Sequence, residues 1–229
     1  MVRPRLFAFD EIAWVRDEAR IVALRRGRSG HAPSGEAWST EAPAGTVYGA
    51  HVSEATFRKL AAHPRLIAVA RDLLGENVYV HQSRLISRFE DVSPDIAWRR
   101  DFATWSATDG MPAARAVTAA IILGESGPQT PIMYVAPGSH GGADTSGGGA
   151  AVAVTAPLGS VVFYRADLAY ALNQFADRRS SPLFLVSYNA VSNVPARFGR
   201  DETYAARRAS PAIAEADDCM WPASWCAAG

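Results

Sequence analysis

The chain has 229 residues, 48% of them hydrophobic and 20% charged, and its 23 basic side chains balance its 23 acidic ones. This is the composition of an ordinary globular protein, and a chain of this length can bury a core without disulfide or metal staples. The balanced charge argues against a nucleic-acid partner and against binding to an anionic membrane surface.

The ends of the chain carry no targeting or cross-linking pattern. Residues 1–10 lack a long apolar run, which predicts that there is no signal peptide. The longest apolar stretches are only strand-sized, which argues against a membrane span. Cys219 and Cys226 fit neither a disulfide framework nor a zinc motif. We therefore expect a cytoplasmic protein.

The N-terminal third, residues 1–75, is predicted to be a helical flank. Apolar residues recur at helical spacing over 8–25 and again over 53–74. The second segment is expected to break at Pro64, because proline cannot continue a helix. The stretch between them, 26–46, is rich in Gly, Ser, Pro and Ala, which indicates a loop or lid.

From Val78 onward the pattern changes to short strands separated by Gly, Pro, Asp or Ser clusters. Many short strands after leading helices predict a mainly β, jelly-roll core over residues 78–193, with the helices packed on one sheet. Residues 194–229 follow as a C-terminal tail, and we expect 1–229 to form a single domain. The predicted strands are 78–89, 97–105, 116–124, 131–139, 151–156, 159–167 and 182–191.

Four segments carry a family resemblance: 63–84 (HPRLIAVARDLLGENVYVHQSR), 101–112 (DFATWSATDGMP), 136–140 (APGSH) and 186–193 (VSYNAVSN). In this order they resemble landmarks of the ectoine hydroxylases, within the phytanoyl-CoA dioxygenase superfamily. The resemblance implies the double-stranded β-helix, the cupin-like jelly roll of Fe(II)/2-oxoglutarate oxygenases.

The family's iron-binding triad is not reproduced in this sequence. The resemblance implies Fe(II) held by a His-x-Asp pair on one strand and a histidine on a later strand. Here those positions hold Arg99, Asp101 and Tyr170. Arginine has no lone pair to offer a metal, and a phenol ionises only near pH 10. The sequence therefore predicts a degenerate triad that binds no metal.

Arg99, Asp101 and Tyr170 are nevertheless the catalytic candidates. On a strand, Arg99 and Asp101 would share one face, so that Arg99 could replace the charge of a lost cation. Arg99 would then hold an anionic group of the substrate, Asp101 would be a general base, and Tyr170 an acid or hydrogen-bond donor. The alternatives are a purely structural ion pair for the first two residues and core packing for Tyr170.

Four more residues are expected to line the pocket because matching family positions do so: Gln82, Arg84, Arg88 and Trp105. Their alternatives are hydrogen bonding on a strand surface and ordinary core packing. His81 adjoins Gln82 and is expected to face the other way, because strand side chains alternate.

These residues lead to one expected function and two alternatives. The expectation is a metal-independent, non-redox enzyme without cofactors that cyclises, eliminates, isomerises or hydrolyses a small, anionic molecule in specialised metabolism. The first alternative is an Fe(II)/2-oxoglutarate-dependent hydroxylase with displaced ligands. The second is a non-catalytic relative that binds a ligand or partner subunit. A homodimer is left open.

Overall fold

The structure is a computed structural model that describes residues 1–29, 46–87, 98–124, 126–127, 131–142, 151–172 and 182–197, without the side chains of 26–29 and 142. The helices are α1 Phe9–Ser29, α2 Ala50–Ser53, α3 Ala55–Ala61, α4 Pro64–Leu74 and α5 Asp101–Asp109. The strands are β1 Val2–Arg3, β2 Thr46–Tyr48, β3 Val78–Ile86, β4 Ala116–Ile122, β5 Met133–Val135, β6 Val152–Val154, β7 Val161–Arg165, β8 Tyr170–Leu172 and β9 Leu183–Ala190.

The strands form two antiparallel sheets. The larger has the order β1-β7-β4-β9-β3-β2, and the smaller has the order β6-β5-β8. Consecutive strands are mostly not neighbours, which is the crossover pattern of a jelly roll rather than a meander. The predicted mainly β jelly roll with flanking helices is confirmed.

One face of the large sheet is covered by helices, and we call it the helix-covered face. Leu85 of β3, Ile121 of β4 and Phe184 of β9 pack in one buried cluster with Phe57 of α3 and Leu66 of α4. The rings of Phe57 and Phe184 lie 4.8 Å apart. This packing buries the apolar stripes of the N-terminal helices, as their periodicity predicts.

The opposite face of the large sheet, the inner face, packs against the small sheet. Ile86 of β3, Ile122 of β4 and Leu185 of β9 share a buried cluster with Met133 of β5 and Val154 of β6. Because strand side chains alternate, Leu85 and Ile86 are neighbours in sequence but belong to different cores.

The strand predicted over 97–105 is wrong, because most of this stretch is α5. Its first turn carries Asp101, whose charge suits the positive end of a helix, and Gly110 ends it with a left-handed φ of 66°. Among the described residues of this stretch, Arg99 keeps a β-type pairing, as an isolated bridge to Tyr170.

The helical prediction for the N-terminal third is confirmed in outline. The first helix covers 8–25 almost fully and runs on to Ser29. The segment 53–74 does break at Pro64, which occupies the first turn of α4 behind the capping side chain of His63. Most of the predicted 26–46 loop and the tail beyond 197 lie outside the described residues. None of the described helices combines the length and the apolar character that a membrane span requires.

Candidate functional site

A cluster of polar side chains lies between the two sheets, where β3, β8 and α5 meet. β3 contributes Arg84 from the large sheet, β8 contributes Tyr170 from the small sheet, and α5 contributes Asp101 from its first turn. All three are buried: Arg84 is 8% exposed, Asp101 6% and Tyr170 0%. We call this group the Arg84–Asp101–Tyr170 cluster.

The three side chains form a closed triangle of hydrogen bonds. Arg84 Nη2 donates to both carboxylate oxygens of Asp101, at 3.0 and 3.2 Å, and to the Tyr170 hydroxyl at 2.9 Å. The Tyr170 hydroxyl in turn donates to Asp101 Oδ1 at 2.8 Å. Each of the three side chains thus has hydrogen-bond partners in the other two, which a buried polar group requires.

The electrostatics of the cluster keep the guanidinium charged and the phenols neutral. Burial alone would lower the pKa of Arg84, but the charge of Asp101 and the neighbouring tyrosines raise that pKa well above its ordinary value. Burial raises the pKa of Tyr170, and the Arg84 charge opposes this only in part. Burial likewise raises the pKa of Tyr164, whose ring centroid is 5.0 Å from that of Tyr170. Tyr170 is therefore a neutral hydrogen-bonding group at physiological pH.

The predicted partnership of Arg99 with Asp101 is wrong. The Arg99 side chain is exposed, although its backbone pairs with Tyr170 through two hydrogen bonds of 2.7 and 2.9 Å. The prediction assumed that Arg99 and Asp101 share a strand face, whereas Asp101 begins a helix. Arg84, which we expected to bind substrate, is the cation that contacts Asp101.

The inner face changes from apolar to polar along the strands. Across the large sheet, Ile86 aligns with Leu183 in an apolar row, whereas Gln82 aligns with Ser187 and Ser187 with Thr118 in a polar one. The hydroxyls of Thr118 and Ser187 are 2.8 Å apart, and Gln82 is 3% exposed. Arg84 aligns with Leu185 in the row between the apolar row and the polar row. The Arg84–Asp101–Tyr170 cluster therefore marks the boundary between them.

Beyond the polar row, the side chain of Trp105 packs against His81. Their ring centroids are 4.7 Å apart, and His81 Nε2 lies 3.3 Å from Asp109 Oδ2, one turn farther along α5. The register of β3 shifts between Val80 and Gln82, a β-bulge that interrupts the alternation. The expected orientation of His81 away from the site is therefore wrong, because the bulge lets it contact α5.

Sequence reasoning missed several residues of this region. Asp109, Tyr164 and the hydrogen-bonded set of Tyr79, Asn189 and Asn193 were not proposed. Asn189 donates to the Tyr79 hydroxyl at 2.8 Å and to the Asn193 carbonyl at 2.7 Å. The available signal was strand period: polar residues at Ser187 and Asn189 alternate with apolar ones in β9. Of the predicted lining residues, Arg88 lies outside the described residues.

Metal-binding potential is limited in the described part of the chain. It holds no group of three or more His, Cys, Asp or Glu side chains that could hold a metal ion. Asp101 is the carboxylate in the cluster, and both of its oxygens accept hydrogen bonds from Arg84.

Comparison with known proteins places these observations in a family. A model of the phytanoyl-CoA dioxygenase family (PhyH) matches residues 1–171. Ectoine dioxygenase from Stutzerimonas stutzeri is 33% identical over 144 residues, which cover 61% of this chain and 46% of that protein. The chain thus spans about half the length of this relative.

Solved structures give a similarity that extends over nearly the whole chain. The crystal structure of EctD from S. alaskensis with 2-oxoglutarate and 5-hydroxyectoine is 28% identical with a TM-score of 0.77, covering 95% of this chain and 82% of that one. The structure of the same protein with bound Fe gives a TM-score of 0.74 at 28% identity, covering 93% and 82%. The resemblance to ectoine hydroxylases is confirmed.

These comparisons overturn two expectations. The expected metal-independent, non-redox enzyme without cofactors is wrong, because the relatives are named dioxygenases and the similar structures hold Fe or 2-oxoglutarate. They favour the alternative of an Fe(II)/2-oxoglutarate-dependent hydroxylase and give no support to a degenerate triad. The expectation gave the departures at Arg99 and Tyr170 more weight than the family resemblance of the other segments.

Proposed function

Because the chain belongs to the phytanoyl-CoA dioxygenase family, we propose that it is an iron- and 2-oxoglutarate-dependent oxygenase that acts on a small organic molecule. The observation that carries this proposal is the TM-score of 0.77 with EctD holding 2-oxoglutarate and 5-hydroxyectoine, at 28% identity over 95% of this chain. At this identity the similarity goes beyond a shared fold.

The polar part of the inner face supports a small, polar substrate. Gln82, Thr118 and Ser187 lie in adjoining strands on one row, and all are buried. Such sites bind small molecules through a few placed polar groups within apolar walls. Trp105, buried beside this row against His81, supplies the aromatic wall. Because a similar structure holds 5-hydroxyectoine, ectoine is the first substrate to test.

The described residues do not fit an iron site in their present arrangement. Asp101 accepts from Arg84 and Tyr170, and Tyr170 is held as a neutral phenol, which is a poor iron ligand. A metal at Asp101 would need further donors from outside the described residues, and Arg84 would have to leave the carboxylate. No step of a reaction is therefore assigned to individual residues.

A second candidate is a relative that binds a small ligand without turning it over. The closed hydrogen bonding of the Arg84–Asp101–Tyr170 cluster favours it, because every polar partner in the triangle is satisfied by the protein itself. Under this alternative, the polar row at Gln82 would still bind ligand while 2-oxoglutarate is left unchanged.

One experiment separates these two functions. The full chain, purified without oxygen and reconstituted with Fe(II), is analysed for retained iron and then incubated in air-saturated buffer with 2-oxoglutarate and ectoine, so that dioxygen is the oxidant. We expect retained iron, succinate formation and a hydroxylated product detected by mass spectrometry. The Asp101→Asn variant should lose both iron and succinate formation, whereas the exposed Asp72→Asn variant should match the unchanged protein.

The outcomes differ for each candidate. Ectoine binding detected by calorimetry, with neither iron retention nor succinate formation, would support the non-catalytic relative and reject the oxygenase. Succinate formation that is unaffected by Asp101→Asn would retain the oxygenase but place its metal elsewhere in the chain.

A further inference from the structure

The polar row on the inner face continues onto a fourth strand. Its members Gln82, Ser187 and Thr118 align across β3, β9 and β4. Thr118 also aligns with Tyr164 of β7, and Tyr164 is buried like the other three. Residues directly opposite each other on antiparallel strands share a face, with Cβ atoms roughly 5 Å apart. The polar row therefore ends at the side chain of Tyr164.

The hydroxyl of Tyr164 is buried without a hydrogen-bond partner among the described residues. The ring of Tyr170 is its aromatic neighbour, with 5.0 Å between the ring centroids. The Tyr170 hydroxyl, however, donates its proton to Asp101 and accepts from Arg84. The Arg84–Asp101–Tyr170 cluster is thus satisfied within itself and leaves the Tyr164 hydroxyl unpaired.

An unpaired hydroxyl is costly at a buried position. It loses its hydrogen bonds to water on folding, and a phenylalanine would fill nearly the same space without that loss. Burial, and then the neighbouring Tyr170 and Asp101, raise the pKa of Tyr164 well above its ordinary value, so the hydroxyl keeps its proton. A protonated, buried and unpaired phenol points to an acceptor that arrives with a bound ligand.

The surroundings of this hydroxyl favour an uncharged acceptor. The charge of Arg84 is already paired with that of Asp101, and the other members of the polar row are neutral. A carboxylate bound against Tyr164 would be buried close to Asp101 without a cation of its own, which opposes binding. A hydroxyl or carbonyl oxygen can accept the same hydrogen bond without this penalty.

We propose that Tyr164 is a specificity-determining residue, whose hydroxyl donates a hydrogen bond to an uncharged hydroxyl or carbonyl oxygen of a small ligand bound along the polar row. The inference rests on the proposed function in taking the inner face as the ligand site. It adds the class of ligand, namely a small molecule that already carries such an oxygen.

The test uses two ligands that differ by one hydroxyl group. Ectoine and 5-hydroxyectoine are each titrated by calorimetry into the full chain, with no 2-oxoglutarate added, so that neither ligand is turned over. We expect the unchanged protein to bind 5-hydroxyectoine about three- to tenfold more tightly than ectoine, which is the net effect of one hydrogen bond. Tyr164→Phe should bind the two ligands equally, with its affinity for ectoine unchanged.

Melting temperatures separate this role from a structural one. Tyr164→Phe should melt no lower than the unchanged protein, because the variant loses no hydrogen bond to a described residue. Tyr188→Phe is the matched control on the helix-covered face, where the Tyr188 hydroxyl donates to the Ala61 carbonyl at 2.7 Å. This control should melt at a lower temperature and still prefer 5-hydroxyectoine.

The proposal is overturned if the unchanged protein binds the two ligands equally, binds neither, or prefers 5-hydroxyectoine by the same factor as Tyr164→Phe. A melting temperature of Tyr164→Phe as low as that of Tyr170→Phe also overturns it, since the hydroxyl would then have a partner within the protein. Failure of the proposed function is a separate result, namely a chain without iron or succinate formation. Such a chain would still support the role of Tyr164 if it preferred 5-hydroxyectoine and Tyr164→Phe did not.

Discussion

The two faces of the large sheet use the same strands for different purposes. On the helix-covered face, Leu85 and Phe184 pack into an apolar core together with the N-terminal helices. On the inner face, Arg84 is buried with Asp101 and Tyr170. Burying a charge opposes folding unless oppositely charged and hydrogen-bonding partners are buried with it. Adjacent residues of β3 therefore serve stability and site chemistry separately, and substitutions can separate the two roles.

The largest expected effect comes from breaking the charge pair on the inner face. Arg84→Met should lower the free energy of unfolding by about 3–5 kcal/mol, because it leaves the Asp101 carboxylate buried without its cation. Urea unfolding followed by circular dichroism measures this. Arg115→Met, which breaks the exposed pair with Glu76, should cost less than about 1 kcal/mol.

A second substitution tests whether the two faces of the sheet are independent. Adding Asp101→Leu to Arg84→Met should recover most of the lost stability, because no unpaired charge then remains. Leu85→Ala on the helix-covered face should cost about 2–5 kcal/mol through a cavity, and Asp101→Leu should not recover it. If Asp101→Leu restored stability to both Arg84→Met and Leu85→Ala, the two faces would not be independent.

A smaller effect is expected from acid. Burial, and then the charge of Arg58, lower the pKa of His51 from 6.5 to about 4, and its ring lies 2.6 Å from the Ser83 hydroxyl. Between these two values the unfolded chain binds more protons than the folded one, so stability falls as the pH decreases from 6.5 to 4. The expected loss is roughly 3 kcal/mol.

Unfolding at several pH values with His51→Gln checks this origin. The variant should lose most of the pH dependence in that window, whereas His140→Gln, at an exposed position, should retain it. If the free energy of unfolding of His51→Gln fell with pH as steeply as that of the unchanged protein, the acid sensitivity would belong to other groups.

The smallest expected effect compares two buried tyrosine hydroxyls. Tyr170→Phe should cost about 2 kcal/mol, because its hydroxyl bonds to charged partners. Tyr188→Phe on the helix-covered face should cost only about 1 kcal/mol, since its hydroxyl donates to the neutral carbonyl of Ala61. Equal losses in urea unfolding would show that the charges of the cluster add nothing to the Tyr170 hydrogen bonds.

The sequence was sufficient to predict the jelly roll because its evidence is periodic. The short apolar runs of β4 and β9 lie between turn-forming residues, which indicates buried strands, and the apolar spacing of α4 gives a helix that packs on the sheet. Gly75, with a left-handed φ of 73°, ends that helix as its position suggests. These are local signals, and a single sequence contains them.

The pairing within the site could not be predicted because it depends on contacts between distant segments. Arg84 and Asp101 are 17 residues apart, and Asp101 and Tyr170 are 69 apart. The choice of Arg84 over Arg99 depends on α5 beginning at Asp101, which a β-rich pattern at 97–105 concealed. Catalytic roles for Arg99, Asp101 and Tyr170 stay predictions, as do the single domain, the cytoplasmic location and any dimer.

The bulge in β3 changes how this strand can evolve. Side chains alternate between the two faces in Val78–Val80 and again in Gln82–Ile86, but the even-numbered residues of the two segments lie on opposite faces. His81 is the extra residue between the segments. A deletion of His81 would make the pairs of Val80 with Tyr188 and of Gln82 with Ser187 consecutive, so Tyr79 and Arg84 would keep their faces and the strand would lose only the side chain that contacts α5. The bulge therefore adds one side chain beside the polar row without changing the face on which any other residue of β3 lies.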